Sequence, residues 1–160
     1  MSGQKNKVFL IFILIFSTLI LFSAYIIEYK LGHAACKLCL YERVPYFISI
    51  LLIFVIFFIN KYEKIILLIL SFTFFVGAAI AFYHFGIEQG FFDESLVCVT
   101  ENFAETLSKE QLLEQLKQNS ISCRNVSFRI LGFSLATINS ICSIILSVIF
   151  MKLYMNYGKN

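Results

Sequence analysis

Cys36-Lys-Leu-Cys39-Leu-Tyr-Glu-Arg43 leads through Val44, Pro45 and Tyr46 into a nearly unbroken apolar run that ends at Ile59. Two cysteines two residues apart therefore stand where a polar segment becomes a stretch of helix-spanning length, since crossing a bilayer takes roughly 20 apolar residues. Three more such stretches flank it, over residues 8–27, 65–85 and 130–151, with the quoted one covering 40–59. The backbone must satisfy its own hydrogen bonds in lipid, so each stretch reads as a helix rather than a strand. The fold expected is an all-α integral membrane four-helix bundle, one domain over residues 1–160. At 59% hydrophobic, 14% charged and a mean hydropathy of +0.84, the chain is too apolar for a soluble domain of 160 residues.

The first apolar stretch follows Lys5 and Lys7, as a secretory leader would, but it is longer than the usual core of about 7 to 15 residues and lacks a nearby small-residue cleavage site. His33-Ala34-Ala35-Cys36 resembles a lipoprotein processing site only faintly, because Glu28, Tyr29 and Lys30 separate it from the apolar run. The segment is kept as a helix. Basic residues set the orientation: Lys5 and Lys7, Lys61 and Lys64, and Lys152 and Lys159 lie in short tails and a tight turn, which go to the cytoplasm. The segments 28–39 and 86–129 then face outward, with nearly all of the acids. Both termini are expected in the cytoplasm, with the two cysteine-bearing loops on the opposite side of the membrane. The formal charge of +3 is spread along the chain, which argues against nucleic acid as a partner and suits anionic lipid headgroups.

No linker, low-complexity segment or internal repeat divides the chain. Gly132, Ala136 and Ser140 recur every fourth residue, and Gly77, Ala78 and Ala79 cluster, as small residues do at packing seams between helices in lipid. The outer segment 86–129 is long for so small a bundle. Within it Ser108-Lys-Glu-Gln111 has the form of a capping box, and Leu112, Leu113 and Leu116 give the following short helix an apolar stripe. Cys98 and Cys123 flank that helix.

Four cysteines, Cys36, Cys39, Cys98 and Cys123, thus fall on the outer side, where disulfides persist. C-x-x-C also serves zinc, but zinc ribbons use a second such pair and this chain has one. With a helix starting near Cys36, the steps to Cys39 and Arg43 place all three on one face. A helix N-terminus and a nearby guanidinium both favour the thiolate, the species that attacks a disulfide, and Arg43 presents planar donors suited to a quinone carbonyl. Two alternatives stay open: the helix starts instead at Pro45, which removes a backbone donor, or Arg43 is a snorkelling residue paired with Glu42. His84, at the outer end of the third helix, matches Arg43 in height and can share its pocket. His33 reads as solvated and Cys142 as a small apolar side chain.

Cys36-Lys-Leu-Cys39-Leu-Tyr-Glu-Arg43 resembles the C-x-x-C with an Arg four residues on that marks the DsbB-type disulfide bond formation proteins. Tyr83-His84-Phe-Gly86-Ile-Glu88 is similar to the close of the third helix in a subset of them, Cys98 and Cys123 match their second redox pair, and Phe128-Arg-Ile-Leu-Gly132-Phe-Ser134 looks like the entry to their fourth helix. The resemblance implies a thiol:quinone oxidoreductase. Cys98 and Cys123 would form the disulfide presented to a periplasmic DsbA-like partner, attacked at Cys98. Cys36 and Cys39 would reoxidise that pair and pass two electrons to a membrane quinone, ubiquinone or menaquinone, beside Arg43 and His84. Three rivals remain: a vitamin K epoxide reductase-like enzyme, disfavoured because its C-x-x-C follows the loop pair; a structural bundle whose loop disulfide is a staple; and a bis-histidine haem carrier, which would have to use His33 and His84.

Overall fold

The computed structural model describes residues 2–33, 35–93, 123, 129–130 and 132–157. Cys98 and the short helix expected after Ser108 lie outside the described residues. The four apolar stretches are the helices α1 (Ser2–Tyr29), α2 (Lys37–Phe58), α3 (Glu63–Glu88) and α4 (Leu135–Asn156). Each is long and apolar enough to cross a membrane, which makes this an all-α four-helix multi-pass membrane protein. A single 3₁₀ turn over Asn60–Tyr62 joins α2 to α3. α3 is the centre of the packing, with α4 along one side and α2 along another, and α1 lies against α2.

The outward surface is apolar. Phe12, Phe22, Phe47, Phe54, Phe58, Phe72 and Phe75 are all exposed along the helices, where lipid replaces water as the solvent. Inside, Tyr46, Phe74 and Phe150 are fully buried, with Phe74 edge-on to Tyr46 at 5.4 Å and stacked on Phe150 at 5.7 Å between centroids. Lipid gives helices no hydrophobic reason to associate, so hydrogen bonds and close packing matter more. Ser71 Oγ donates to the Ser147 carbonyl and Ser147 Oγ to that of Ser71, each at 3.0 Å, tying α3 to α4. Ser49 Oγ lies 3.2 Å from Ser17 Oγ and ties α2 to α1.

Helix α2 begins at Lys37 with Cys36 as its N-cap, and it runs through Pro45 without ending. The proline is accommodated from the neighbouring helix. A Cβ on Gly77 of α3 would stand 2.7 Å from Pro45 Cγ, so the glycine is what lets the pyrrolidine ring pack there. Of the clustered small residues of the third helix, Gly77 and Ala78 are buried, whereas Ala79 is exposed.

The fourth helix starts five residues later than the apolar run suggests. Arg129–Ile130 pairs antiparallel with Phe133–Ser134 about Gly132, whose φ of +89° an L side chain would strain to adopt. Ser134 Oγ then caps α4 by accepting from the Thr137 amide at 3.2 Å. Gly132 thus serves the turn rather than the seam, while Ala136, Ser140 and Ser143 are buried along α4. Helix α3, conversely, extends three residues beyond its expected end and is stopped by Gly90 at φ +77°, with the Phe91 amide donating to the Gly86 carbonyl at 2.8 Å. That extra turn brings Glu88 into the site.

Candidate functional site

The end of the bundle where α2 begins and α3 ends holds a small second core in which Cys36, Leu38, Ile87 and Cys123 are buried together, with Cys39, Ile80 and Tyr83 packed against it. Cys36 occupies the N-cap position, and its Sγ accepts from the Cys39 amide at 3.2 Å. The Cys36 and Cys39 sulfurs lie 2.7 Å apart, within hydrogen-bond reach, and both residues are free thiols, as is Cys142. Cys123, by contrast, is engaged in a disulfide.

His84 of α3 is 3% exposed and is held at both ring nitrogens. Its Nδ1 lies 2.6 Å from Glu42 Oε1, and its Nε2 lies 3.6 Å from Cys36 Sγ and 3.8 Å from Glu88 Oε1. An ionised carboxylate can only accept, so Glu42 fixes Nδ1 as a donor and turns Nε2 toward the sulfur. The second Glu42 oxygen accepts from Asn139 Nδ2 at 2.9 Å, and Tyr46 OH donates to Asn139 Oδ1 at 2.6 Å. A polar chain thus crosses from Cys36 through α3 and α2 to α4. Glu88 ends it on the other side: its side chain is 5% exposed, and Oε2 has no hydrogen-bond partner among the described residues.

Cys36 lies just outside the membrane-spanning part of α2. The neighbouring Cys39 thiol, and after it the His84 ring, lower its pKa to about 4 against the opposing effect of burial.

Arg43 finds its ion-pair partner on α1. Residues next to each other on a helix point about 100° apart, so Arg43 and Glu42 do not pair. Arg43 Nη1 instead donates to Glu28 Oε2 of α1 at 2.5 Å, and its guanidinium lies 5.2 Å from the centroid of the Tyr25 ring. Arg43 nevertheless lines the same cavity of about 240 Å³ as Cys36, Cys39 and His84. His33, read from sequence as solvated, is half-buried and reaches that cavity, and so does Cys142. Cys36, Cys39, Arg43, His84 and Cys123 are therefore brought together, and Cys98 lies outside the described residues.

Sequence reasoning missed Glu28, Glu42, Glu88 and Asn139 as site residues. Glu88 was findable, since it follows His84 by four residues on one helix. Glu28 and Asn139 carry no local signal. The donor atoms of Cys36, Cys39 and His84 all lie within 4.8 Å of one another, which also makes them a possible set of metal ligands.

Residues 6–153 match the sequence model of the family described as Disulfide bond formation protein DsbB. The chain is also similar to an uncharacterized protein of Rickettsia prowazekii (strain Madrid E), at 29% identity over 98% of this chain and 92% of that protein. No solved structure matches the chain.

Proposed function

The chain belongs to the disulfide bond formation protein DsbB family, and from that premise we propose that it oxidises a periplasmic DsbA-like dithiol and delivers the electrons to a membrane quinone. Membership carries with it membrane-bound thiol oxidoreduction in disulfide bond formation; the partner, the acceptor, the inner-membrane location and the residue roles are our reading. The observation that carries it is the Cys36–Cys39 pair, set beside His84 on one cavity and packed against disulfide-bonded Cys123.

In this reading Cys98 and Cys123 form the outer disulfide. A thiolate of the soluble partner attacks Cys98, a mixed disulfide forms, and the second partner thiol releases it, leaving the partner oxidised and Cys98 and Cys123 as thiols. Those thiols in turn reduce the Cys36–Cys39 disulfide, so two electrons move inward and the outer disulfide is restored. Physics accounts for using two pairs: a soluble partner does not enter lipid and a quinone does not leave it.

The cavity suits a substituted quinone ring. It has apolar walls from Ile20, Ala24 and Ala136, with Arg43 and His84 as donors for ring oxygens and Cys39 at the same surface. A bound quinone supplies an acceptor for two electrons and two protons. The chain's own residues do the rest. Cys36 is held as a thiolate, His84 Nε2 takes or returns its proton, Glu42 keeps the ring turned that way, and Glu28 holds Arg43 at the cavity wall.

The test is quinone reduction by the purified protein in detergent, with a reduced periplasmic dithiol as donor, comparing wild type with Cys39→Ser and Cys98→Ser. Turnover that needs both cysteines supports the two-pair relay. Turnover unaffected by either substitution, or absent with every quinone and donor, would overturn it.

A further inference from the structure

We propose that the dithiol form of this site is a redox-gated binding site for a zinc-class divalent cation, with Cys36, Cys39 and His84 as ligands. Three donors of the kinds zinc prefers converge from two helices, their atoms mutually within 4.8 Å. The histidine is prepared for the task. Its Nδ1 is committed to Glu42 at 2.6 Å, which turns Nε2 toward the thiols, the carboxylate–histidine–metal arrangement that orients ligating imidazoles. Glu42 is anchored in turn by Asn139.

Two cysteines and one histidine leave a fourth position open, as in catalytic rather than structural zinc sites. Here that position faces the cavity, where the buried Glu88 carboxylate ends 3.8 Å from His84 Nε2 with Oε2 unpartnered among the described residues. A cation and the water it brings would give that oxygen a partner. Two sulfurs at about 2.3 Å from one tetrahedral ion stand about 3.8 Å apart, so the present 2.7 Å separation must widen. Cys39 is half-buried, so its side chain has room to rotate.

Binding requires both sulfurs as thiolates and His84 Nε2 without a proton, so any proton on Cys39 or on that nitrogen leaves to solvent, and no electrons move. The disulfide form has no thiolate to offer and does not bind. A bound cation in turn ties up the electron pairs through which the thiols react, which blocks their oxidation. The redox state thereby controls metal affinity, and the metal holds the site reduced.

The experiment uses the reduced full-length protein in detergent with Cys98 and Cys123 replaced by Ala, titrated with Co²⁺ and then Zn²⁺. One Co²⁺ per chain is expected, with a thiolate-to-cobalt charge-transfer band that Zn²⁺ abolishes. The Cys36–Cys39 disulfide form should show no band. Cys39→Ser should abolish the band, and Glu42→Gln should weaken binding about 10- to 100-fold. In the wild-type protein, Zn²⁺ should protect Cys36 and Cys39 from alkylation, a readout that needs no variant. No band with the reduced protein, a band that survives Cys39→Ser, or equal affinity in the disulfide form would overturn the proposal. None of these readouts involves quinone or the dithiol partner, so failure here is distinct from failure of the electron-transfer reading.

Discussion

Cys36 should react as a thiolate across the whole neutral range, and its neighbours should be the reason. Its pKa is lowered to about 4, first by the Cys39 thiol and then by His84, against burial. The sign is that of a depressed acid: the thiolate is present at every pH above about 4 and is lost only as the pH falls through that value. At pH 6 a thiol of pKa about 4 is about 99% ionised, whereas an ordinary thiol of pKa about 8.5 is about 0.3% ionised, a difference of roughly 300-fold. The assay is iodoacetamide alkylation of the reduced protein in detergent, followed by mass spectrometry of the peptide containing Cys36. Wild type should alkylate at nearly the same rate at pH 6 and pH 9. Cys39→Ala removes the largest cause, and His84→Asn the next, so each should move the midpoint upward and slow the reaction at pH 6, the first by more. A wild-type rate that climbs steeply between pH 7 and pH 9 would refute the reasoning, because Cys36 would then be an ordinary thiol.

Two further perturbations test the frame around the site. Glu28→Gln leaves Arg43 without its carboxylate at a position where both side chains are a fifth exposed or less; the loss should fall between that of a surface pair and a buried one, about 1–3 kcal/mol, read as a lower thermal midpoint in detergent, and an unchanged midpoint would mean the pair contributes nothing. Gly77→Ala drives a methyl group against Pro45 Cγ and Cβ, at 2.7 and 3.3 Å; it should cost about 1–3 kcal/mol by overpacking in the same measurement, and full tolerance would show that α2 and α3 are less closely apposed.

Where the sequence was legible, the signal was local and physical. Four apolar stretches of sufficient length announced four helices, and the cysteine pair just before one of them announced a dithiol near a helix start. The late start of α4 was also written in the chain, as Gly132 and Ser134 are a turn residue and a cap, but the apolar run through Ile130 masked them. Pairings across helices were not legible. That Arg43 meets Glu28, fifteen residues before it, and that Glu42 meets His84 and Asn139 depend on how α1, α3 and α4 are rotated against α2. In lipid every face of these helices is apolar, so periodicity gives little of that rotation.

The division of labour between Glu42 and Arg43 follows from charge at a membrane boundary. An ionisable group at that depth is expensive unless it is paired, so each must find a partner within the bundle. Glu42 is satisfied at both oxygens, by His84 and by Asn139, and has nothing left to give Arg43. Arg43 therefore needs Glu28 from α1. The outcome is two separate acid–base pairs on one cavity, one on the α1 side and one on the α3 side, with the Cys36–Cys39 pair at the same wall. Arg43 is balanced by Glu28 and the His84 ring is held by Glu42, so the cavity keeps its donors in place. Moving Arg43 onto Glu42 would free the His84 ring to turn and leave Glu28 uncompensated. The proton position beside Cys36 and the anchoring of Arg43 are thus fixed by the same requirement that no charge at this depth be left unpaired.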